Sequence, residues 1–252
     1  MRIAIVSDIH GNLTAFEAVV ADLRETAPDL IFHGGDLADG GARPAEIVDR
    51  IRALGWQGVV GNTDELLFRP ASLAEFASQS TQTLQPVFAA VEEMAASTRE
   101  ALGAERLAWL QGLPRTLVHG PMALLHASPE SLWRAPSPEA ADAELEQVYG
   151  PLGQPIAVYA HIHRSYIRNV RRVRRLAGIP SVSGMVVANT GSVSLSYDGD
   201  RRSAYLLLDE LEPVIRRVEY DVDKELKALS ESGLPHADWI ARTIAAGRPQ
   251  MP

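Results

Sequence analysis

Five short clusters of Asp, His and Asn occur along the chain, each at the end of an apolar run. They are Asp8-Ile9-His10 (followed by Gly11-Asn12), Gly35-Asp36, Gly61-Asn62-Thr63-Asp64, His126, and His161-Ile162-His163. Carboxylate and amide oxygens together with imidazole nitrogens are ligands for Mn, Fe, Ni or Zn. The chain contains no cysteine, which excludes a thiolate site. These clusters therefore predict a divalent metal site.

The spacing within the clusters also suits a pair of metal ions. Two ions about 3.5–4 Å apart form a clamp on a phosphoryl group. Such a pair needs a carboxylate that can bridge the ions, and Asp36 is the candidate. In Asp8-x-His10 and His161-x-His163, two side chains separated by one residue can point to the same side of the chain. Metal binding lowers the pKa of a water toward about 7, which gives hydroxide at neutral pH without a protein base.

Each of these residues also has a purely structural interpretation. Asp8 alone would be the N-cap of the following helix, and Asn62 after Gly61 would be a turn residue. His126 alone would be a hydrogen-bonded core histidine, and His119 is its main rival for the fourth cluster. The occurrence of five clusters in order favours metal binding over these interpretations.

The elements that position the clusters alternate between strand and helix over the first 60 residues. Apolar runs predict strands at 3–6, 30–33 and 58–60, and helical spacing predicts helices at 12–24 and 44–54. This alternation indicates a parallel sheet with right-handed crossovers. The ligand crevice of such a sheet lies at the carboxyl ends of its strands. We therefore expect the first three clusters to share one edge of the sheet.

The remainder of the chain is predicted to combine helices with further strands. Residues 65–111 are interpreted as two or three helices that form an insertion over one side of the cleft. Strands are predicted at 117–119, 122–126, 156–160, 166–175, 185–189, 204–208 and 214–220, and helices at 138–149 and, in two parts, 222–244. Because no repeat or low-complexity linker interrupts this order, we predict one domain over residues 1–252.

Composition limits the classes of function. No stretch approaches the roughly 18 apolar residues that a membrane span requires, and the lack of cysteine fits a reducing cytoplasm, so a cytoplasmic protein without a membrane partner is predicted. The net charge of −8 argues against extended nucleic-acid binding. It still permits one nucleotide in a metal-lined cleft, because the ions supply local positive charge.

Taken together, the five clusters resemble those of the calcineurin-like metallophosphoesterase superfamily, and most closely its YfcE-like branch of small bacterial and archaeal phosphodiesterases. Three later segments resemble the same branch, namely Asn189-Thr190-Gly191-Ser192-Val193, Asp198-Gly199-Asp200 followed by Ala204-Tyr205, and Arg217-Val218-Glu219-Tyr220-Asp221. The resemblance covers nearly the whole chain. It implies an α/β fold in which two packed mixed β-sheets are flanked by helices, a four-layer αββα sandwich.

The resemblance also implies roles for individual residues. One metal would be bound by Asp8, His10, Asp36 and His163, and the other by Asp36, Asn62, His126 and His161. A hydroxide that bridges the ions would be the nucleophile, and the catalytic residues would be Asp36, Asn62 and Asp64. The implied cofactor is a pair of divalent ions, with manganese preferred over iron, nickel, zinc or cobalt. The predicted substrate contacts are Asn12, Asn62 and Arg164; Asn12 begins a helix whose N–H groups attract anions.

The third cluster departs from the superfamily at one position. The usual motif is Gly-Asn-His followed by Asp or Glu, whereas this chain has Thr63 in place of the histidine. A threonine hydroxyl cannot protonate a leaving group near neutral pH, and general acid catalysis contributes roughly two to four decades of rate. The loss favours substrates with better leaving groups, or it transfers the proton to metal-bound water or Asp64. Both alternatives remain open.

The predicted function is hydrolysis of a phosphodiester or an activated phosphomonoester, with a nucleotide-like small molecule as the favoured substrate. One alternative is a serine/threonine-type protein phosphatase. The other is a non-enzymatic scaffold on the same fold. Self-association into a homo-oligomer is left open among the predicted partners.

Overall fold

The computed structural model describes residues 1–176 and 179–252, and for residues 172–176 and 179–183 it describes only the backbone. The strands within these ranges are β1 (Arg2–Val6), β2 (Leu30–His33), β3 (Gln57–Gly58), β4 (Thr116–His119), β5 (Met122–Leu125), β6 (Ile156–Tyr159), β7 (Tyr166–Leu176), β8 (Ile179–Asn189), β9 (Ser203–Asp209) and β10 (Glu212–Val218). The helices are α1 (Leu13–Thr26), α2 (Pro44–Leu54), α3 (Asn62–Phe68), α4 (Ala71–Ala77), α5 (Gln85–Gln111), α6 (Asp142–Tyr149), α7 (Val222–Glu231) and α8 (Ala237–Ala246).

The strands form two mixed sheets. The first sheet has the order β10-β9-β1-β2-β3, in which β1, β2 and β3 run parallel and β9 is antiparallel to both neighbours. The second sheet has the order β4-β5-β6-β8-β7, in which β5, β6 and β8 run parallel and the two outer strands are antiparallel to their neighbours. Each sheet therefore presents the carboxyl ends of several parallel strands along one edge.

The sheets pack face to face with helices outside them. Successive residues of a strand point to opposite faces, so β1 is apolar on both sides. Ile5 belongs to a buried cluster between the sheets that also contains Leu124. Val6 belongs to a cluster on the other face that contains Phe16 of α1. Helix α6 covers the outer face of the second sheet. The predicted four-layer αββα sandwich is confirmed.

Several predicted boundaries are wrong by a few residues, and strand β8 begins at Ile179 instead of residue 185. Strand β3 ends at Gly58 instead of residue 60, because the N–H of Val60 donates to the carbonyl of Pro114, 2.9 Å away, and leaves the sheet. Helix α6 begins at Asp142 instead of residue 138, because a turn with a 3.0 Å bond from Ala140 N to Ser137 O precedes it. The helical segment after the third cluster begins at residue 62, so that cluster opens a helix.

Helices α3, α4 and α5 occupy the segment in which the sequence predicts helices. The backbone of α5 bends at Gly103, whose φ of 69° lies in the left-handed region that favours glycine. The single domain over residues 1–252, with these helices as its insertion, stays a prediction. Among the described helices, none combines the length and the apolar character needed to cross a membrane.

Candidate metal centre

The five clusters converge at the strand ends. Asp8 and His10 follow β1, Asp36 follows β2, Asn62 opens α3 after β3, His126 follows β5, and His161 and His163 follow β6. Strands β1, β2 and β3 are parallel to one another, and so are β5 and β6, so the loops that follow them leave at the same edge of each sheet. The structure thereby brings together all seven side chains predicted as metal ligands.

The backbone at this edge is unusual. Five of the predicted ligands have positive φ, namely Asp8 (52°), His10 (46°), Asp36 (53°), His161 (69°) and His163 (54°). Such conformations cost about 1–3 kcal/mol each in residues other than glycine and persist where surrounding contacts enforce them. In the loops after β1 and β2, the backbone is held by hydrogen bonds from Asp8 N to Gly35 O (3.0 Å) and from His10 N to Asp36 O (3.0 Å).

The loops after β2 and β3 also touch, which explains the glycine of the third cluster. A Cβ atom at Gly61 would lie 2.1 Å from Asp36 Oδ1 and 2.3 Å from Asp36 N. Only glycine permits this approach. The contact holds the Asp36 carboxylate beside the start of α3, where the N–H of Thr63 donates to Asp36 Oδ1 over 2.9 Å.

One group of four side chains clusters at the end of the first sheet. The ligand atoms of Asp8, His10, Asp36 and His163 all lie within 4.8 Å of one another, and all four residues are buried. His163 Nε2 is 3.2 Å from Asp8 Oδ1 and 3.3 Å from His10 Nε2. His10 Nε2 is 3.7 Å from Asp36 Oδ2. These nitrogens and oxygens suit a divalent cation.

A second group adjoins the first through Asp36. Asp36 Oδ2 is 3.4 Å from His126 Nε2. The amide oxygen of Asn62 lies 2.9 Å from His126 Nε2 and 2.8 Å from His161 Nδ1. Asp36 therefore lies between the two groups. His119, the alternative to His126 as the fourth cluster, lies on β4 with its ring centroid 5.5 Å from that of Phe32.

Three of the four histidines are oriented by backbone carbonyls. Nδ1 lies 2.7 Å from Asp39 O in His10, 2.8 Å from Gly34 O in His126 and 2.7 Å from Leu195 O in His163. An N–H donated to a carbonyl fixes the tautomer and leaves the lone pair on Nε2. His161 differs, because it turns Nδ1 toward Asn62. Each ring thus directs one nitrogen to the centre.

Burial and charge set the protonation of these groups. Burial opposes ionisation of Asp36, but His126 and His10 outweigh it and hold the pKa of its carboxyl below the ordinary value. Burial lowers the pKa of His10, and burial together with His126 lowers the pKa of His161 to about 4. In His126, burial is outweighed by Asp36, which raises the pKa to about 9. A metal ion binds an ionised carboxylate and neutral imidazoles, so metal binding requires His126 to release its proton.

Asp64 lies behind the ligand loops. Its carboxylate accepts backbone N–H groups from Asp36 (2.8 Å), Leu37 (3.0 Å) and Gly61 (3.0 Å). The residue is fully buried and does not line the cleft. Burial and the charge of Asp36 raise its pKa to about 6. This position differs from that expected of a proton donor beside a substrate, and it makes Asp64 a link between the loops after β2 and β3.

Two of the three predicted substrate contacts also lie away from the cleft. Asn12 is buried and caps α1, with Oδ1 accepting from Ala15 N (2.9 Å) and Nδ2 donating to Ser194 Oγ (3.2 Å). Arg164 lines a neighbouring depression, where its Nε donates to Tyr197 O over 3.2 Å. Asn62 alone of the three predicted contacts lines the cleft.

Three residues that line the cleft have positions that were not predicted from the sequence. Asp39 lines the cleft, accepts a 2.8 Å bond from Thr98, and has its pKa raised to about 7 by burial. Its position three residues after Asp36, in the same predicted loop, could have indicated that Asp39 lies near the metal ligands. Tyr197 stacks on His163 at 4.6 Å, and nothing in the sequence indicates this contact. The buried Oγ1 of Thr63 has no hydrogen-bond partner among the described residues.

The cleft above the ligands has a volume of about 370 Å³. We call its polar base the floor, formed by His10, Asp36, Asn62, His161 and His163. We call its apolar side the wall, formed mainly by Phe76, Phe88, Val91, Trp133, Trp239 and Ile240. The wall comes from α4, α5, α8 and the loop after β5, so helices of the segment after the third cluster line one side of the cleft.

Two mixed sheets with a buried Asp/His cluster at their strand ends define an α/β sandwich protein with a candidate metal site. The family model described as the calcineurin-like phosphoesterase superfamily domain matches residues 1–212, and the chain belongs to this superfamily. The resemblance inferred from the five clusters is confirmed, and so is the prediction of an enzyme.

Similar proteins span most of the chain. An uncharacterized protein of Methanocaldococcus jannaschii is 29% identical over 98% of both chains. A solved metallophosphoesterase from Sphaerobacter thermophilus is 26% identical, with a TM-score of 0.76 over 98% of this chain and 99% of that one. A symmetrical bis(5'-nucleosyl)-tetraphosphatase of Aromatoleum aromaticum is 28% identical over 59% of this chain and 52% of its own length.

Proposed function

We propose that the protein is a dinuclear metal-dependent phosphoesterase that cleaves a phosphodiester or an activated phosphomonoester of nucleotide-like size. Asp8, His10, Asp36 and His163 would hold one ion, and Asp36, Asn62, His126 and His161 the other. The observation that carries this proposal is the position of Asp36, whose Oδ2 lies 3.7 Å from His10 Nε2 in one group and 3.4 Å from His126 Nε2 in the other.

The donor set also supports the kind of metal. Carboxylate, imidazole and amide donors without any thiolate suit manganese, with iron, nickel, zinc and cobalt as alternatives. When bound, such a pair supplies a nucleophile at neutral pH and neutralises charge on the phosphoryl group.

The chain's own residues hold this arrangement in place. Backbone carbonyls orient His10, His126 and His163, and the N–H of Thr63 orients the Asp36 carboxylate. Asp64 holds the loops that carry Asp36 and Asn62, because its carboxylate bonds to the backbone of both. The wall covers one side of the floor.

The residue at position 63 determines which leaving groups suit the site. Thr63 occupies the place of the usual acid, and its hydroxyl remains protonated but too weakly acidic to donate near neutral pH. A substrate whose leaving group departs without protonation therefore suits this site. The similarity to a symmetrical bis(5'-nucleosyl)-tetraphosphatase supports a nucleoside as the organic part of the substrate, but not the number of phosphates.

The test uses metal-stripped protein and two chromogenic substrates, p-nitrophenyl phosphate and its bis ester. We expect hydrolysis to return with Mn²⁺, Ni²⁺ or Co²⁺ and to be lost in Asp36→Asn. The matched control is Asp49→Asn, because Asp49 is an exposed carboxylate of α2 that pairs with Arg106. Absence of turnover with every metal, or equal rates in Asp36→Asn and wild type, would refute the proposal. A phosphoserine peptide tested in parallel distinguishes a protein phosphatase.

A further inference from the structure

The wall of the cleft is apolar and aromatic even though it faces a polar floor. Of the 21 described residues that line the cleft, ten are Leu, Val, Ile, Met, Phe or Trp. They come from segments that are distant in the sequence, such as Phe88 of α5, Trp133 after β5 and Trp239 of α8. Apolar side chains that converge on an accessible cavity are typical of a ligand site.

The rings of the wall are ordered by contacts with one another. Phe76 stacks on Trp133 with ring centroids 5.2 Å apart, and it meets Phe88 edge-on at 5.9 Å. The indole N–H of Trp133 donates to Glu65, and that of Trp239 donates to the carbonyl of Gln250. Because both indole N–H groups have partners within the protein, these rings offer carbon surface to a ligand.

Positive charge is lacking on the same wall. Among the described residues that line the cleft there is no lysine or arginine. Arg164 and Arg248 line the neighbouring depression beside Tyr197. Arg134 stacks over the Phe76 ring at 5.2 Å but lines another depression. A polyphosphate would bring several charges against apolar surface, and unpaired buried charge is costly.

We propose that the substrate carries a single phosphoryl group joined to an apolar, aromatic organic group that packs against Phe88, Trp133 and Trp239. This inference rests on the proposed function, since the floor must bind the phosphoryl group. It adds the substrate class, because the floor would bind the charged phosphoryl group and the wall would bind the aromatic ring of the substrate. An aromatic ring can come from a nucleobase or from a simple aryl group.

The experiment measures binding of a matched series of phosphonates to manganese-loaded protein by calorimetry, which requires no turnover. We expect benzylphosphonate to bind about tenfold or more tightly than methylphosphonate, because its ring leaves water for the wall. We expect 4-carboxybenzylphosphonate to lose most of that gain, because it brings a charge to the same place. Adenosine 5'-monophosphate binding as tightly as benzylphosphonate identifies the ring as a nucleobase; weaker binding identifies a simple aryl group.

Three variants separate the wall from general stability. Phe88→Ala should reduce the ratio of benzylphosphonate to methylphosphonate affinity by about threefold or more. Phe68→Ala, which removes a half-buried ring of α3 that does not line the cleft, should leave that ratio unchanged. Val87→Arg adds a cation to the wall and should reverse the preference between the benzyl and 4-carboxybenzyl compounds.

The outcomes for this inference and for the proposed function are distinct. Equal affinities along the series, or tighter binding of the 4-carboxybenzyl compound to wild type, overturn the substrate class even if the esters are hydrolysed. A graded series in a protein that hydrolyses no ester with any metal overturns the proposed function alone. A ratio that falls equally in Phe88→Ala and Phe68→Ala overturns the role of the wall.

Discussion

The floor and the wall of the cleft are built from different parts of the fold. The floor lies on loops at the strand ends, where buried polar side chains are held in left-handed backbone by hydrogen bonds. The wall lies on α4, α5, α8 and the loop after β5, where apolar rings pack on one another. The two regions meet in one cavity but share no element.

This difference indicates that the floor and the wall have separate roles in catalysis and in substrate binding. The floor holds charged groups at fixed distances, so a change there acts on the reaction itself. The wall offers surface without charge, so a change there acts on affinity in the ground state and the transition state alike. Substitutions in the floor are therefore expected to lower kcat, and substitutions in the wall to raise KM.

The largest effect is expected from the histidines of the candidate metal centre. His163→Ala and His126→Ala each remove one predicted ligand, so each variant should bind one metal ion fewer than the wild type. Because a metal supplies several kcal/mol of transition-state stabilisation, kcat/KM should fall by about three orders of magnitude. Elemental analysis and steady-state kinetics measure both. His119→Ala is the control, because His119 lies on β4 against Phe32. Equal losses in His119→Ala would contradict the assignment of His126.

The next effect tests whether the loops of the floor depend on Asp64. Asp64→Asn places an amide N–H₂ where backbone N–H groups now donate, so the free energy of unfolding should fall by about 2–3 kcal/mol. Denaturant titration of the metal-free protein measures the change. Asp49→Asn, an exposed control, should shift stability by no more than about 0.5 kcal/mol. A shift in Asp64→Asn as small as this would show that the floor holds its shape without Asp64.

A smaller effect is expected at Thr63, which lines the cleft beside the floor. Thr63→His restores a group that can protonate a leaving group, so it should raise kcat for phenyl phosphate by roughly tenfold, at the lower end of what general acids contribute. The rate with p-nitrophenyl phosphate, whose leaving group is more acidic, should change far less. Thr63→Gln is the matched control without a titratable group. If Thr63→Gln produces the same selectivity, proton donation is not the cause.

The smallest effect is expected from a single ring of the wall. Trp133→Ala removes the ring that stacks on Phe76, and for an aryl phosphodiester it should raise KM by about fivefold with little change in kcat, as expected when uniform binding is lost. Trp133→Phe keeps a ring and should restore most of the affinity. A loss confined to kcat would erase the distinction between floor and wall.

Much of the fold was predictable because its information is local. Alternating strands and helices over β1 to α2 are visible in the spacing of apolar residues, and they imply the parallel order that the structure has. The short β3 was less predictable, since Val60 leaves the sheet for a carbonyl of Pro114 that is distant in the sequence. Boundaries decided by such long-range bonds are not encoded in the periodicity of a segment.

The floor and the wall differ in the same respect. The sequence by itself determined which residue types stand at the strand ends. Asp, His and Asn that follow apolar runs can be recognised in the sequence without knowledge of the tertiary structure. Only the tertiary structure decided that Asp64 links two loops, that Asn12 caps a helix and that Arg164 lies beside the cleft. It also decided the wall, because Phe88 and Trp239 show the spacing of ordinary core residues. Which apolar side chains face a cavity depends on how distant helices pack, and no local pattern records that.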